Sequence, residues 1–135
     1  MSIKSVARYV FALLMTLVVF QGFISMRSES QLSILMRKMT DDIRKVRRKV
    51  ETGKKIPEFY KSYTQLYSAE ASTTSKKGDQ FAGYAEAFLK QCSRLKESTA
   101  DQRKSEYNEL VTRCIRCHET YCPGPLTMLK KLKLP

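Results

Sequence analysis

The chain is expected to be all-α: an antiparallel four-helix bundle preceded by a hydrophobic signal or anchor helix. Three observations carry this. Gly and Pro number only five and four in 135 residues, and no alternating β-branched runs stand out. Four stretches repeat apolar residues at spacings of three and four, the period of an amphipathic helix. Short turn-rich connections separate them, and short connections make neighbouring helices antiparallel. The length allows one small domain plus a targeting segment. The expected divisions are 1–30, a segment for export or anchoring, 31–122, the helical domain, and 123–135, a basic tail.

Residues 1–30 begin with Lys4 and Arg8, followed by an apolar run from Tyr9 to Phe20 that continues weakly to Met26. A positive flank before a hydrophobic core is the signal-peptide layout. The run is also long enough to span a bilayer. Phe20, Phe23 and Met26 occupy the zone where a cleavable signal needs small residues. An uncleaved anchor is therefore favoured over a cleaved signal. The cations ahead of the run place the N-terminus inside and the domain outside.

The first domain helix is expected from about Gln31 to Thr52. Leu32, Met36, Met39, Ile43, Val46 and Val50 form its a/d stripe. Gly53 stops it. A second helix is expected to start near Ile56-Pro57, with Pro57 in the first turn and Ile56, Phe59 or Tyr60, Tyr63, and Leu66 or Tyr67 on its apolar face. A polar loop, Ser72 to Gly78, follows. Asp79 opens a third helix with Phe81, Tyr84, Ala85, Phe88, Cys92 and Leu95 inward. Ser98-Thr99-Ala100-Asp101 is rich in capping residues. The fourth helix carries Tyr107, Leu110, Val111, Cys114, Ile115, Cys117, His118 and Tyr121, and Pro123-Gly124-Pro125 ends it. The tail, with Leu126, Leu129, Leu132 and Leu134, is expected to lie as a short turn on the bundle.

The chemistry-bearing stretch is Cys114-Ile115-Arg116-Cys117-His118. C-x-x-C-H reads as a c-type haem attachment site. On a helix, residues three and four apart share a face. Cys114 and Cys117 can therefore add to the two vinyl groups of one haem, and His118 can offer a ring nitrogen to the iron. His118 is the single histidine of the chain, and an export segment suits a cofactor that bacteria attach outside the cytoplasm. The expected cofactor is one covalent haem c, in the periplasm, with the domain tethered to the inner membrane or released after cleavage. The alternative is a zinc-stabilised interaction module, with a zinc site of Cys114, Cys117, His118 and Cys122. Its ligand types suit zinc, but the spacing does not follow the usual finger patterns. No general base or nucleophile constellation accompanies the motif, so an enzyme is not expected.

The net charge is +12, from 25 Lys and Arg against 13 Asp and Glu. No phosphate-binding loop or nucleic-acid motif accompanies it. The expected partner is an acidic redox protein or an anionic membrane face, not nucleic acid. Arg37, Lys38, Arg44, Lys45, Arg47, Arg48 and Lys49 concentrate charge on the first helix. Cys92 and Cys122 are expected near opposite ends of the bundle, too far apart for a disulfide. Cys122 is then free or pairs with a second copy in a homodimer.

Four helices with C-x-x-C-H at the end of the last resemble the class II c-type cytochromes, the cytochrome c-prime family. The likeness covers about Gln31 to Tyr121 and rests on Cys114, Cys117 and His118, plus Met36 in a first helix that ends in a glycine. The resemblance implies covalent haem, a histidine proximal ligand, and a distal site either empty or filled by methionine. The family usually carries an arginine shortly before the first-helix position, where Leu32 stands four residues ahead of Met36. Cys122-Pro123-Gly124-Pro125 runs past the common family end.

With one histidine, bis-histidine ligation within one chain is impossible. If the fourth helix runs antiparallel to the first, His118 lies level with Leu32, Met36 and Met39. Met36 matches the family's ligand position and is the distal candidate. Met39 is the reserve, and Met128 would have to fold back past the helix stop. The function this implies is one-electron transfer by a monohaem cytochrome. The alternative within the haem class is a five-coordinate protein that binds nitric oxide or another diatomic gas.

Overall fold

The computed structural model describes residues 29–72 and 77–135. The apolar run read as an anchor lies outside the described residues, as does the middle of the Ser72–Gly78 loop. Among the described residues no helix is long and apolar enough to cross a membrane. The described chain is all-helical. Its elements are α1 (Gln31–Glu51), a 3₁₀ helix (Lys61–Leu66), α2 (Phe81–Glu97), α3 (Arg103–Tyr121) and a short α4 (Leu126–Lys130).

Helix α1 starts where a side chain can satisfy an orphan donor: Ser30 Oγ accepts from Ser33 N at 3.2 Å. It ends in a Schellman arrangement. Gly53 takes φ 65°, its N–H donates to Val50 O at 3.1 Å, and Lys54 N–H donates to Lys49 O at 2.9 Å. Leu35, Met39, Ile43 and Val46 are buried along the inward face. Leu32 and Met36, read as part of the same stripe, are only partly buried. The reason is local: both border a cleft described below.

The second α-helix expected from Ile56-Pro57 does not form. Residues 54–60 carry no helix, and only the six-residue 3₁₀ helix follows. Two physical causes act together. The residue before a proline is pushed toward extended backbone, which holds Ile56 out of a helix. The buried residues then fall at Tyr63, Leu66 and Ala69, a repeat of 3.0 that matches the 3₁₀ turn rather than the α turn. Tyr63 is fully buried, and its hydroxyl donates to Asp42 Oδ2 at 3.1 Å. Burial alone would raise the Asp42 carboxyl, but hydrogen bonds from Lys38, Lys45 and Tyr63 outweigh it and hold the group below its usual range.

Paired contacts give the directions. Leu32 N donates to Glu70 O at 2.9 Å, and Tyr63 meets Asp42, so the 54–70 leg runs antiparallel to α1. Gln91 Nε2 donates to Glu106 O at 3.1 Å, and the Tyr84 and Thr120 hydroxyls are 3.1 Å apart. Helices α2 and α3 are therefore an antiparallel hairpin. Arg103 Nη1 donates to Gly53 O at 3.0 Å, so the start of α3 meets the end of α1. It follows that the end of α3 lies beside the start of α1.

The tail packs into the same core. Leu129, Leu132 and Leu134 are buried. The Tyr107 hydroxyl donates to Leu132 O at 3.0 Å, Asn108 Nδ2 donates to Leu134 O at 3.0 Å, and Leu134 N donates to Asn108 Oδ1 at 2.8 Å. Residues 123–135 thus brace the base of α3 against α1. Replacing Tyr107 with phenylalanine keeps the ring but strands a buried carbonyl. The expected cost is about 1–3 kcal/mol of unfolding free energy, read as a lower denaturant midpoint with an unchanged slope.

Candidate haem site

The last turn of α3 stops because Pro123 cannot continue it. Cys122 N–H donates to His118 O at 3.0 Å, and Cys122 leaves helical geometry at φ −156° and ψ 79°. That turn swings the Cys122 carbonyl back toward the helix. His118 Nδ1 lies 2.9 Å from it. A carbonyl oxygen can only accept, so Nδ1 carries the proton and donates. The bare Nε2 is then the lone-pair nitrogen of the imidazole. Metal-bound histidines are oriented in this way, with the other ring nitrogen donating to a carbonyl or carboxylate.

Two adjoining cavities open between α1, α2 and α3. The larger, about 250 Å³, is bordered by Leu32, Met36, Phe81, Cys117, His118 and Tyr121, with Ser30, Arg37 and Lys77 among its polar lining. The smaller, about 40 Å³, is bordered by Met36, Met39, Phe88, Cys114, Cys117 and His118, among others. Met36, Phe81, Cys117 and His118 belong to both walls. The structure therefore brings Cys114, Cys117, His118, Met36 and Met39 to one region. Met128 borders neither cavity. Tyr121 fixes the outer edge, with its ring in edge contact with Phe81 at 5.5 Å and Tyr84 at 5.9 Å between centroids.

The thiols are held protonated. Burial, with the neighbouring Cys117 sulfur, pushes Cys114 up to about 12. Burial and Cys122 push Cys117 upward too. The thiolate is the attacking form, so these thiols are of low reactivity in the folded chain without a cofactor. Among the described residues no group of three or more His, Cys, Asp or Glu side chains could hold a metal ion by itself. Cys114, Cys117, His118 and Cys122 follow one another along the end of one helix and do not close a tetrahedral set. All four cysteines are free, and Cys92 is buried in the core.

The residues fit a haem on these grounds: two thiols and an oriented imidazole on one wall, thioether and aromatic side chains on the others. Several lining residues were not legible as site residues. Lys77 sits in a polar loop, and Arg113 precedes the motif without belonging to it. The one sequence signal for Tyr121 is its place three residues after His118, on the same helix face.

No family model, curated protein or solved structure matches the chain.

A half-buried, protonated Cys114 should be slow to alkylate. At about pH 8 iodoacetamide should modify it at least about tenfold more slowly in the folded apoprotein than in denaturant, because only the thiolate attacks. Peptide mass mapping reads the rate, and equal rates in both states would contradict the burial.

Proposed function

We propose that this chain is a monohaem c-type cytochrome of the class II type, a one-electron carrier exported to the periplasm. The observation that carries the reading is the union of motif and geometry: Cys114, Cys117 and His118 border one apolar cleft, and the His118 ring is turned by its hydrogen bond to the Cys122 carbonyl. Cys114 and Cys117 would hold the haem by thioether bonds, each thiol adding its S–H across one vinyl double bond. His118 Nε2 would be the proximal ligand. Bound haem supplies an iron that cycles between ferric and ferrous. The protein's part is to orient the imidazole, wall the ring with Phe81, Phe88 and Leu32, and limit water.

The up-down-up-down course of α1, the 54–70 leg, α2 and α3 supports the four-helix bundle of that class, with the second leg reduced to a 3₁₀ turn. Met36 borders both cavities across from His118 and remains the distal candidate, with Met39, more deeply buried, behind it. Methionine as sixth ligand raises the potential. An iron without it would be five-coordinate and open to a diatomic gas.

The basic surface fits an acidic redox partner. On α1, Lys38, Arg44, Lys45 and Arg47 pair with Asp41, Asp42 or Glu51, and Arg37 pairs with Glu29. Arg48 and Lys49 make no ion pair among the described residues. Exposed pairs contribute little and leave the net charge intact. The apolar run of residues 9–26 fits a tether to the inner membrane.

Two experiments test the proposal. In a host that matures c-type haem, replacing Cys114 and Cys117 together with serine should abolish the haem stain that the wild-type chain keeps on denaturing gels. Persistent stain in the double variant contradicts the site. For the distal ligand, Met36→Ala should remove the long-wavelength ferric band of an iron–thioether bond and lower the reduction potential. A wild-type protein without that band, and with ready carbon monoxide binding when reduced, makes the site open and the gas-binding reading the better one.

A further inference from the structure

A porphyrin held by its two vinyls carries its two propionate carboxylates on the opposite edge, and a carboxylate near apolar walls needs a cation or donors. Three cationic side chains border the cavities: Arg37, Lys77 and Arg113. Arg37 is already held by both oxygens of Glu29. Arg113 has an unpartnered Nε, but its Nη2 pairs with Glu109 at 2.7 Å. It also directly precedes Cys114, on the wall that takes the vinyl edge.

Lys77 is different. Its Nζ donates to Leu66 O at 2.7 Å and to Tyr67 O at 3.0 Å, and it stands 5.1 Å from the centroid of the Phe81 ring. Phe81 is a wall of both cavities. No carboxylate pairs with Lys77 among the described residues. An ammonium has three donors, and the two carbonyls use two of them. The side chain is therefore fixed at the cavity edge, and among the described residues its charge is unpaired and one donor is to spare. Its anchor is the C-terminal end of the 3₁₀ helix, an element packed on α1 and α2 rather than on α3.

We propose that Lys77 is the positioning residue for a haem propionate: it receives the carboxylate by a charge-assisted hydrogen bond and so fixes the ring's edge opposite α3. The assignment rests on the haem reading above. The bland role, a lysine that only closes the carbonyl end of the 3₁₀ helix, makes a different forecast.

The test uses the matured holoprotein. In resonance Raman spectra the propionate bending band reports hydrogen bonding to the carboxylate. Lys77→Gln should shift that band down and lower the reduction potential, because a cation near the ring favours the ferrous state. Lys77→Arg, which keeps the charge and serves if the glutamine variant does not mature, should shift the band without losing the potential. A band unmoved in either variant, even with reduced stability, overturns the assignment and leaves Lys77 as a helix-end lysine. A wild-type chain that carries no covalent haem overturns the functional reading, and this assignment with it.

Discussion

The hydrogen bond from His118 Nδ1 to the Cys122 carbonyl is the constraint on which the site depends. It exists because α3 stops at Pro123 and Cys122 leaves helical geometry. Had the helix continued, that carbonyl would have accepted from a backbone N–H further along, as helix carbonyls do. The imidazole would then have lost its fixed tautomer and its fixed direction. One backbone break thus sets the orientation of the only histidine. Tyr121, on the same last turn, packs on Phe81 and Tyr84 and ties that turn to α2.

The rest of the molecule holds α3 where this turn can work. Tyr107, Leu110 and Val111 are buried almost completely. The tail's bonds to Tyr107 and Asn108 brace the base of α3, and Arg103 ties it to the end of α1. The opposite end is less filled. There α1 presents Leu32 and Met36, and both are only partly buried because a cleft lies beside them. The base is well filled, and the top keeps a cleft beside Leu32 and Met36. The low-stability part of a fold is where ligands enter.

Much of this was legible in the sequence because it rests on local rules. The period of Met39, Ile43 and Val46 and the stop at Gly53 define α1 almost to the residue. The C-x-x-C-H spacing puts Cys114, Cys117 and His118 on one helix face, and the antiparallel direction of α3 puts Met36 beside the same cleft. The second leg was not legible as drawn. Ile56, Tyr63 and Leu66 satisfy a loose reading of either helical period, and the 3.0 repeat of the 3₁₀ turn shows only once Ala69 is seen to be buried with Tyr63 and Leu66. The depth of the tail's packing is hard to read from sequence, since three lysines, Lys130, Lys131 and Lys133, are interleaved with three leucines that the core takes. Lys77 could not be found from sequence, because its partners are two carbonyls brought near by the fold.

The central claim is that one haem is bonded through Cys114 and Cys117. The most direct measurement is the intact mass of the wild-type chain, produced with c-type maturation and recorded in denaturing solvent, followed by fragmentation to locate any added mass. The expected result is a gain of one haem that survives denaturation and maps to the peptide containing Cys114 and Cys117. A chain that arrives at its bare polypeptide mass, or that sheds its haem in denaturant, contradicts it.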